Sequence, residues 1–249
     1  MLAVTRTMQL LEALVGAPDG MGVMELATAL DIHKADVSRI LSTLEEAGYV
    51  LRNLDTGRYS VSFKFVAMAL RYKDHTQLED IVHPVLVELV QEIGESVQFA
   101  IEQNRQLIYV DKVEGIKPLR VASMLGQMAP LHATAAGKVW LASLPDEKVA
   151  ALMQERGMRA ITEHTITTLD GLLRELAVVR QQGYAVSREE VNRTVFGLAA
   201  PVRDRRGQVR AAVVATIPMY EATEERIEVV KSGVLRAASK LSERLALIW

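Results

Sequence analysis

The stretch "DIHKADVSRILSTLEEAGYV", residues 31–50, carries two patterns at once. Val37, Ile40, Leu41, Leu44 and Ala47 recur at helical spacing, which gives the segment one apolar face. The opposite face, near the start, is Ala35, Ser38, Arg39 and Ser42. A helix face that only meets water ordinarily carries longer Lys, Glu or Gln side chains. This one is short, with a single arginine. Gly48 is placed to stop the helix in the left-handed conformation.

Upstream, residues 4–16 read as a helix with Val4, Met8, Leu11 and Val15 in apolar register, and "APDGMG" breaks it. "VMELATAL" is a second short helix, with Gly22 in the capping position as a weaker but acceptable choice. Downstream, "YVLRN" and "RYSVS" flank "LDTG" and predict a hairpin. Three helices followed by a two-stranded ribbon, residues 1–62, is the plan of a winged helix-turn-helix. "FKFVAMALRYKD" continues as a linker helix within residues 63–77, and "HTQLED" reads as the joint. Its Met68, Ala69 and Leu70 suit dimer or domain packing, and equally an isolated amphipathic helix.

Residues 78–249 change character. A long amphipathic helix from Leu78 to about Ile93 is followed by strand-like runs at "VQFAIEQ", "LIYVDKV", "LAAPVRD" and "RAAVVATI". Helices are expected at "AAGKVWLASL", "DEKVAALMQERG" and "LDGLLRELAVVRQQG", and a last one over residues 222–245. The fold class is therefore α+β, with an α/β second domain of sensor size.

Composition narrows the chemistry. Hydrophobic residues make up 49%, ample for a core, and no cysteine is present, which excludes disulfides, thiolate metal sites and thiol nucleophiles. Neither a secretory leader nor an apolar run long enough for a bilayer is evident, so a cytoplasmic protein without membrane contact is expected. Net charge is −2, and residues 1–75 hold eight Lys/Arg against nine Asp/Glu. Binding to nucleic acid would have to rest on a few placed cations.

The short helix face fits that requirement. In a helix-turn-helix the second helix of the motif lies in the major groove, close to base edges. Ala35, Ser38, Ser42 and Thr43 allow close approach, and Arg39 can make paired hydrogen bonds to a guanine edge or a phosphate. Arg6, Lys34, Arg52 and Arg58 are candidates for flanking contacts. Asp36 argues the other way, since phosphates repel a carboxylate unless it accepts from a cytosine amino group. A winged helix that binds protein is the alternative.

"VTRTMQLLEAL", "HKADVSRILSTLEEAGYVLRNLDTGRYSVS", "PLRVASMLGQMAPLHATAAGKVWLASLP" and "AAPVRDRRGQVRAAVVATI" together resemble the IclR family of transcriptional regulators. The likeness includes the family's "LHATAxGK" segment, here residues 131–138. It implies a winged helix-turn-helix, a linker helix and a C-terminal effector domain of GAF-like fold. It also implies homodimers or dimer-of-dimers tetramers on palindromic double-stranded operator DNA. Where family members often carry Ser-Thr, this chain has Ala35-Asp36, so the resemblance does not carry over an operator sequence.

The effector site is expected at "PLHATAAGKVWL". Ala133, Ala135, Ala136 and Gly137 expose amides at a helix start, where an anion is favoured; close helix packing would use small residues too. The resemblance places a carboxylate effector on the Ala135 and Ala136 amides, with His132 adjacent. It also matches Ser187, Gly197, Val214 and Thr216 to positions that often hold Asp, Cys, Ser and Ser, and puts Val121, Ala129 and Val195 in an apolar wall. The site therefore reads as roomier and less polar than one for a two-carbon keto acid. An aromatic or other mid-sized apolar carboxylic acid fits it better. Gly197 serves either volume or backbone geometry. Five scattered histidines offer no metal-binding spacing, and no nucleophile elbow or Gly-rich phosphate loop appears, so neither cofactor nor catalysis is expected. The alternative is an enzymatic C-terminal domain in which Asp111 or Glu114 orients His132.

Overall fold

The computed structural model describes residues 2–116, 125–246 and 249. The chain divides into two compact units, residues 1–77 and 78–249.

The first unit contains α1 (Leu2–Val15), α2 (Val23–Leu30), α3 (Lys34–Glu46), the strands β1 (Val50–Arg52) and β2 (Tyr59–Val61), and α4 (Lys64–Thr76). Gly22 caps α2, and its N–H donates to Glu25 Oε2 at 2.9 Å. Asp31, in the left-handed region at φ 51°, ends α2 and turns the chain toward α3. Leu10, Leu14, Leu26, Val37, Leu41, Leu44, Val50 and Tyr59 pack into one core. The ribbon is antiparallel, with Val50 opposite Val61 and Arg52 opposite Tyr59.

The buried positions depart from the apolar register in α1 and at Ala47. α1 buries Leu10, Leu11 and Leu14 and leaves Val4, Met8 and Val15 exposed, because its core face is set by α2 and β2 rather than by the widest spread of apolar residues. Ala47 follows the end of α3 and is exposed.

The second unit opens with α5 (Leu78–Ile93), followed by β3 (Ser96–Gln103) and β4 (Gln106–Val113). Then come α6 (Ala135–Ala142), α7 (Asp146–Arg156), α8 (Leu169–Gln182), β5 (Ala185–Arg188), β6 (Val195–Arg203), β7 (Val209–Pro218) and α9 (Glu224–Leu245). The five strands form one antiparallel sheet in the order β4-β3-β7-β6-β5. Alternation sends Phe99, Phe196, Leu198, Val213 and Ile217 to the face covered by α5 and α9. Ala100, Tyr109, Ala199, Ala212 and Val214 go to the face covered by α6, α7 and α8. The edge strand β5 was not anticipated: its four residues include a serine and an arginine and run into two glutamates.

Candidate DNA-reading face and effector site

On α3, Lys34, Ala35, Ser38, Arg39, Ser42 and Thr43 are exposed, while Val37, Leu41 and Leu44 turn to the core. Asp36 is half-buried between two arginines. Its Oδ2 accepts from Arg6 of α1 at 2.8 Å and its Oδ1 from Arg39 one turn along. The carboxylate therefore holds both guanidinium groups rather than standing alone on the face. Arg52 is exposed on the ribbon, stacked 5.8 Å from the Tyr59 ring. Arg58 behaves differently. It donates to the Gly20 carbonyl at 2.8 Å and pairs with Glu25 at 2.9 Å, so its donors tie the ribbon to the start of α2. The expected phosphate contact competes with those bonds.

In the second unit, the "LHATAAGK" segment builds a tight helix start. Thr134 caps α6: its hydroxyl accepts from the Gly137 N–H and donates to the Pro130 carbonyl, both at 3.0 Å. Tyr109 hydrogen-bonds the same threonine, and burial pushes its hydroxyl pKa up to about 12. Gly137 is required by close approach, since a Cβ there would lie 2.2 Å from the Leu131 carbonyl oxygen. Ala135 and Ala136, the first two helical residues, are buried, and among the described residues neither N–H has a partner. Two buried, unpaired amides at a helix N-terminus favour a bound anion.

The sheet face beneath them is set by register. Gly197 lies opposite Ser187 on one side and Thr216 on the other, and Thr216 lies opposite Ser96. A Cβ on Gly197 would point at Ala135. Ala129 and Val214 are buried in the same cluster as Ala135, and Val195 begins β6. Val121 lies outside the described residues. Ser187 donates its hydroxyl proton to the Ala133 carbonyl at 2.7 Å, which leaves only acceptor capacity for a ligand. Thr216 makes only a long bond, 3.4 Å, to the Ser96 carbonyl.

His132 is buried, and its Nε2 meets the Arg159 carbonyl at 3.0 Å. Asp111 pairs with His83 at 3.1 Å and Glu114 with Lys112, so neither carboxylate orients His132. His132 is turned toward the loop that carries Arg159, while Asp111 meets His83 of α5.

Two features were missed. Gln98 of β3 is buried opposite Val214, and its side-chain oxygen has no hydrogen-bond partner. Its amide was hidden inside the strand-like run "VQFAIEQ", where a polar residue on alternation reads as solvent-facing. Lys138, the last residue of the hallmark segment, is fully buried, with Nζ 2.6 Å from Glu190 and 3.2 Å from Glu175. Burial raises the Glu190 carboxyl pKa above its ordinary value, opposed by the Lys138 charge.

Comparison with known proteins accounts for both units. Residues 3–54 match the IclR helix-turn-helix domain, and residues 70–243 match the bacterial transcriptional regulator IclR C-terminal domain. The HTH-type transcriptional regulator KipR of Bacillus subtilis is 31% identical over 97% of this chain and 96% of its own length. The transcriptional repressor IclR of Escherichia coli is 28% identical over 96% of this chain and 88% of its own. The crystal structure of Thermotoga maritima IclR superposes with a TM-score of 0.75 at 29% identity, covering 98% of each chain. An IclR homologue from Microbacterium hydrocarbonoxydans, crystallised with 4-hydroxybenzoate, shares the fold at 19% identity and a TM-score of 0.78, covering 97% of this chain and 99% of that one. With a helix-turn-helix unit and the IclR C-terminal unit both matched in order, this chain belongs to the IclR family of DNA-binding transcriptional regulators.

Proposed function

We propose that this regulator is ligand-responsive: a small organic acid, aromatic or otherwise apolar in its body, binds at the start of α6 and changes operator affinity. The observation that carries this reading is the pair of buried, unpartnered amides of Ala135 and Ala136 at the start of α6, whose Ala135 methyl lies over Gly197. A carboxylate would satisfy both donors, and Gly197, Ala129 and Val214 would offer small or apolar surface to the rest of the molecule. The 4-hydroxybenzoate bound by the Microbacterium homologue is an acid of this class.

Residues 1–62 would read DNA through α3, residues 63–77 would link, and residues 78–249 would sense and assemble. The same reading has homodimers or dimers of dimers on a palindromic operator in the cytoplasm, since symmetric oligomers present matched heads. Exposed Leu2, Val4 and Met8 on α1, and Val66, Leu70 and Tyr72 on α4, supply apolar surface for pairing. Effector binding acts only if it favours one arrangement of the heads over another.

Ala135→Pro tests the site. Proline is well tolerated at the first helical position, and Thr134 already has the extended conformation, φ −95° and ψ 147°, that a following proline needs. The variant loses one amide donor and keeps the helix. Native mass spectrometry with a panel of organic acids should show one acid per chain in the parent and a weakened adduct in Ala135→Pro. Equal binding in both overturns the amide site.

A further inference from the structure

We infer a second ligand site in residues 78–249: a cleft at the far end of α6 binds a small multivalent oxyanion. The cleft has a volume of about 570 Å³, within the usual range for small-molecule sites. Its floor is apolar and buried, made by Trp140 of α6, Val179 of α8 and Val209 of β7. Its rim is cationic, with Lys148, Arg203 and Arg206 around one opening, in a chain whose net charge is −2.

The carboxylates nearby are already engaged. Glu102 lies 3.6 Å from Arg210, and Asp146 accepts from Arg180 at 2.7 Å. Arg180 also donates to the Ala142 and Leu144 carbonyls, which neutralises the negative end of α6 beside the cleft. Asp204 turns inward and accepts the N–H groups of Arg206 and Gln208, both at 2.9 Å, so it fixes the β6–β7 turn and leaves the Arg206 guanidinium free of it. Among the described residues, Lys148, Arg203 and Arg206 have no carboxylate partner. Arg203 donates to the Gly207 carbonyl at 2.9 Å, which holds its head at the turn.

Three cations without counter-charges around a walled cleft favour a ligand carrying several negative oxygens, which each guanidinium or ammonium can meet with a charge-assisted hydrogen bond. A single carboxylate would engage only part of that rim. α6 is eight residues long, roughly 12 Å, and its two ends meet the two sites, so occupancy of one bears on the helix that forms the other.

The test is calorimetry on the full chain at fixed ionic strength, with inorganic pyrophosphate, citrate and acetate as probes. Saturable binding of one pyrophosphate or citrate per chain, with acetate inert, is expected, and the stronger of the two identifies a phosphate or a carboxylate source. Lys148→Glu and Arg206→Glu should each weaken binding at least about tenfold. Arg174→Glu, the same charge change on exposed α8, should leave it unchanged. Absence of saturable binding overturns the site. Equal weakening by Arg174→Glu also overturns it, because bulk charge would then explain the effect.

Discussion

A Cβ built on Gly197 would lie 3.8 Å from the Cβ of Ala135, an ordinary contact distance, and Gly197 is not among the residues with positive φ. The glycine is thus not required by backbone strain, and it leaves space of about one methyl group against Ala135 and Ser187. Gly197→Ala should leave stability unchanged or raise it by about 0.4–1 kcal/mol, because the unfolded chain loses freedom. Gly197→Cys should also fold, and should weaken a bulky acid more than a small one. Melting curves beside calorimetry check this. A fall in Tm well beyond the roughly 2–4 °C that 1 kcal/mol gives in a chain of this size would refute the reading.

Gln98 offers a second handle. A buried amide oxygen without a partner costs about 1–3 kcal/mol, and a ligand with its own donor can recover part of it. Gln98→Leu should therefore be at least as stable as the parent. An effector with a polar group beyond its carboxylate should bind it more weakly by about 0.5–1.5 kcal/mol. Unchanged affinity for every acid that binds the parent would remove Gln98 from the site.

The elements were legible where periodicity was strong. The α3 face, the α2 limits, the hairpin and four of the five strands followed from apolar spacing and glycine placement. β5 was not, since four residues at a sheet edge carry too little pattern, and with it went the register that sets Ser187 beside Gly197. Contacts between distant segments were also out of reach. Arg58 looks like a phosphate ligand until Gly20 and Glu25 are seen beside it. Asp36 looks like an obstacle to DNA until Arg6 arrives from α1. Ser187 was associated with the site through the resemblance, but only the structure shows that its hydroxyl donates to the Ala133 carbonyl.

The reading helix has two separable variants. Arg39→Ala should cost on the order of 1–3 kcal/mol per half-site for the cognate operator if the arginine contacts a base. Asp36→Ala should do the opposite to non-specific binding. It frees Arg6 and Arg39 for phosphates, and each added phosphate contact steepens the dependence of log K on log[salt] by about 0.9. Gel-shift titrations at several salt concentrations, on operator and on random DNA, measure both. Identical salt slopes for the parent and Asp36→Ala would show that the arginines do not reach the backbone.

The operator itself should be a pseudo-palindrome, with half-site centres about one helical turn, roughly 10–10.5 bp, or a multiple apart. The modest number of cations on the first unit predicts a shallow salt slope for the parent. Footprinting on a fragment selected by the protein reads the spacing directly, and a single unpaired footprint would contradict a symmetric dimer of reading heads.

Beneath α6, Lys138 gives its three ammonium protons to Glu190 at 2.6 Å, the Val186 carbonyl at 3.1 Å and Glu175 at 3.2 Å. Removing the cation leaves Glu190 buried without its partner, so Lys138→Met should destabilise by about 3–5 kcal/mol. Glu190 predicts a pH dependence as well. Burial holds its pKa above the ordinary 4.5 in the folded chain. Over the interval from 4.5 up to that raised value, the unfolded chain releases this proton while the folded chain keeps it. The folded state therefore binds more protons, and this residue's contribution to stability is full below 4.5 and is lost as pH rises through the raised value. Glu190→Gln cannot titrate. The stability of the parent minus that of Glu190→Gln, from denaturant unfolding between about pH 4 and pH 8, should fall with increasing pH and then level off. A difference that rises across the same interval would mean that the Lys138 charge outweighs desolvation, with the Glu190 pKa lowered instead.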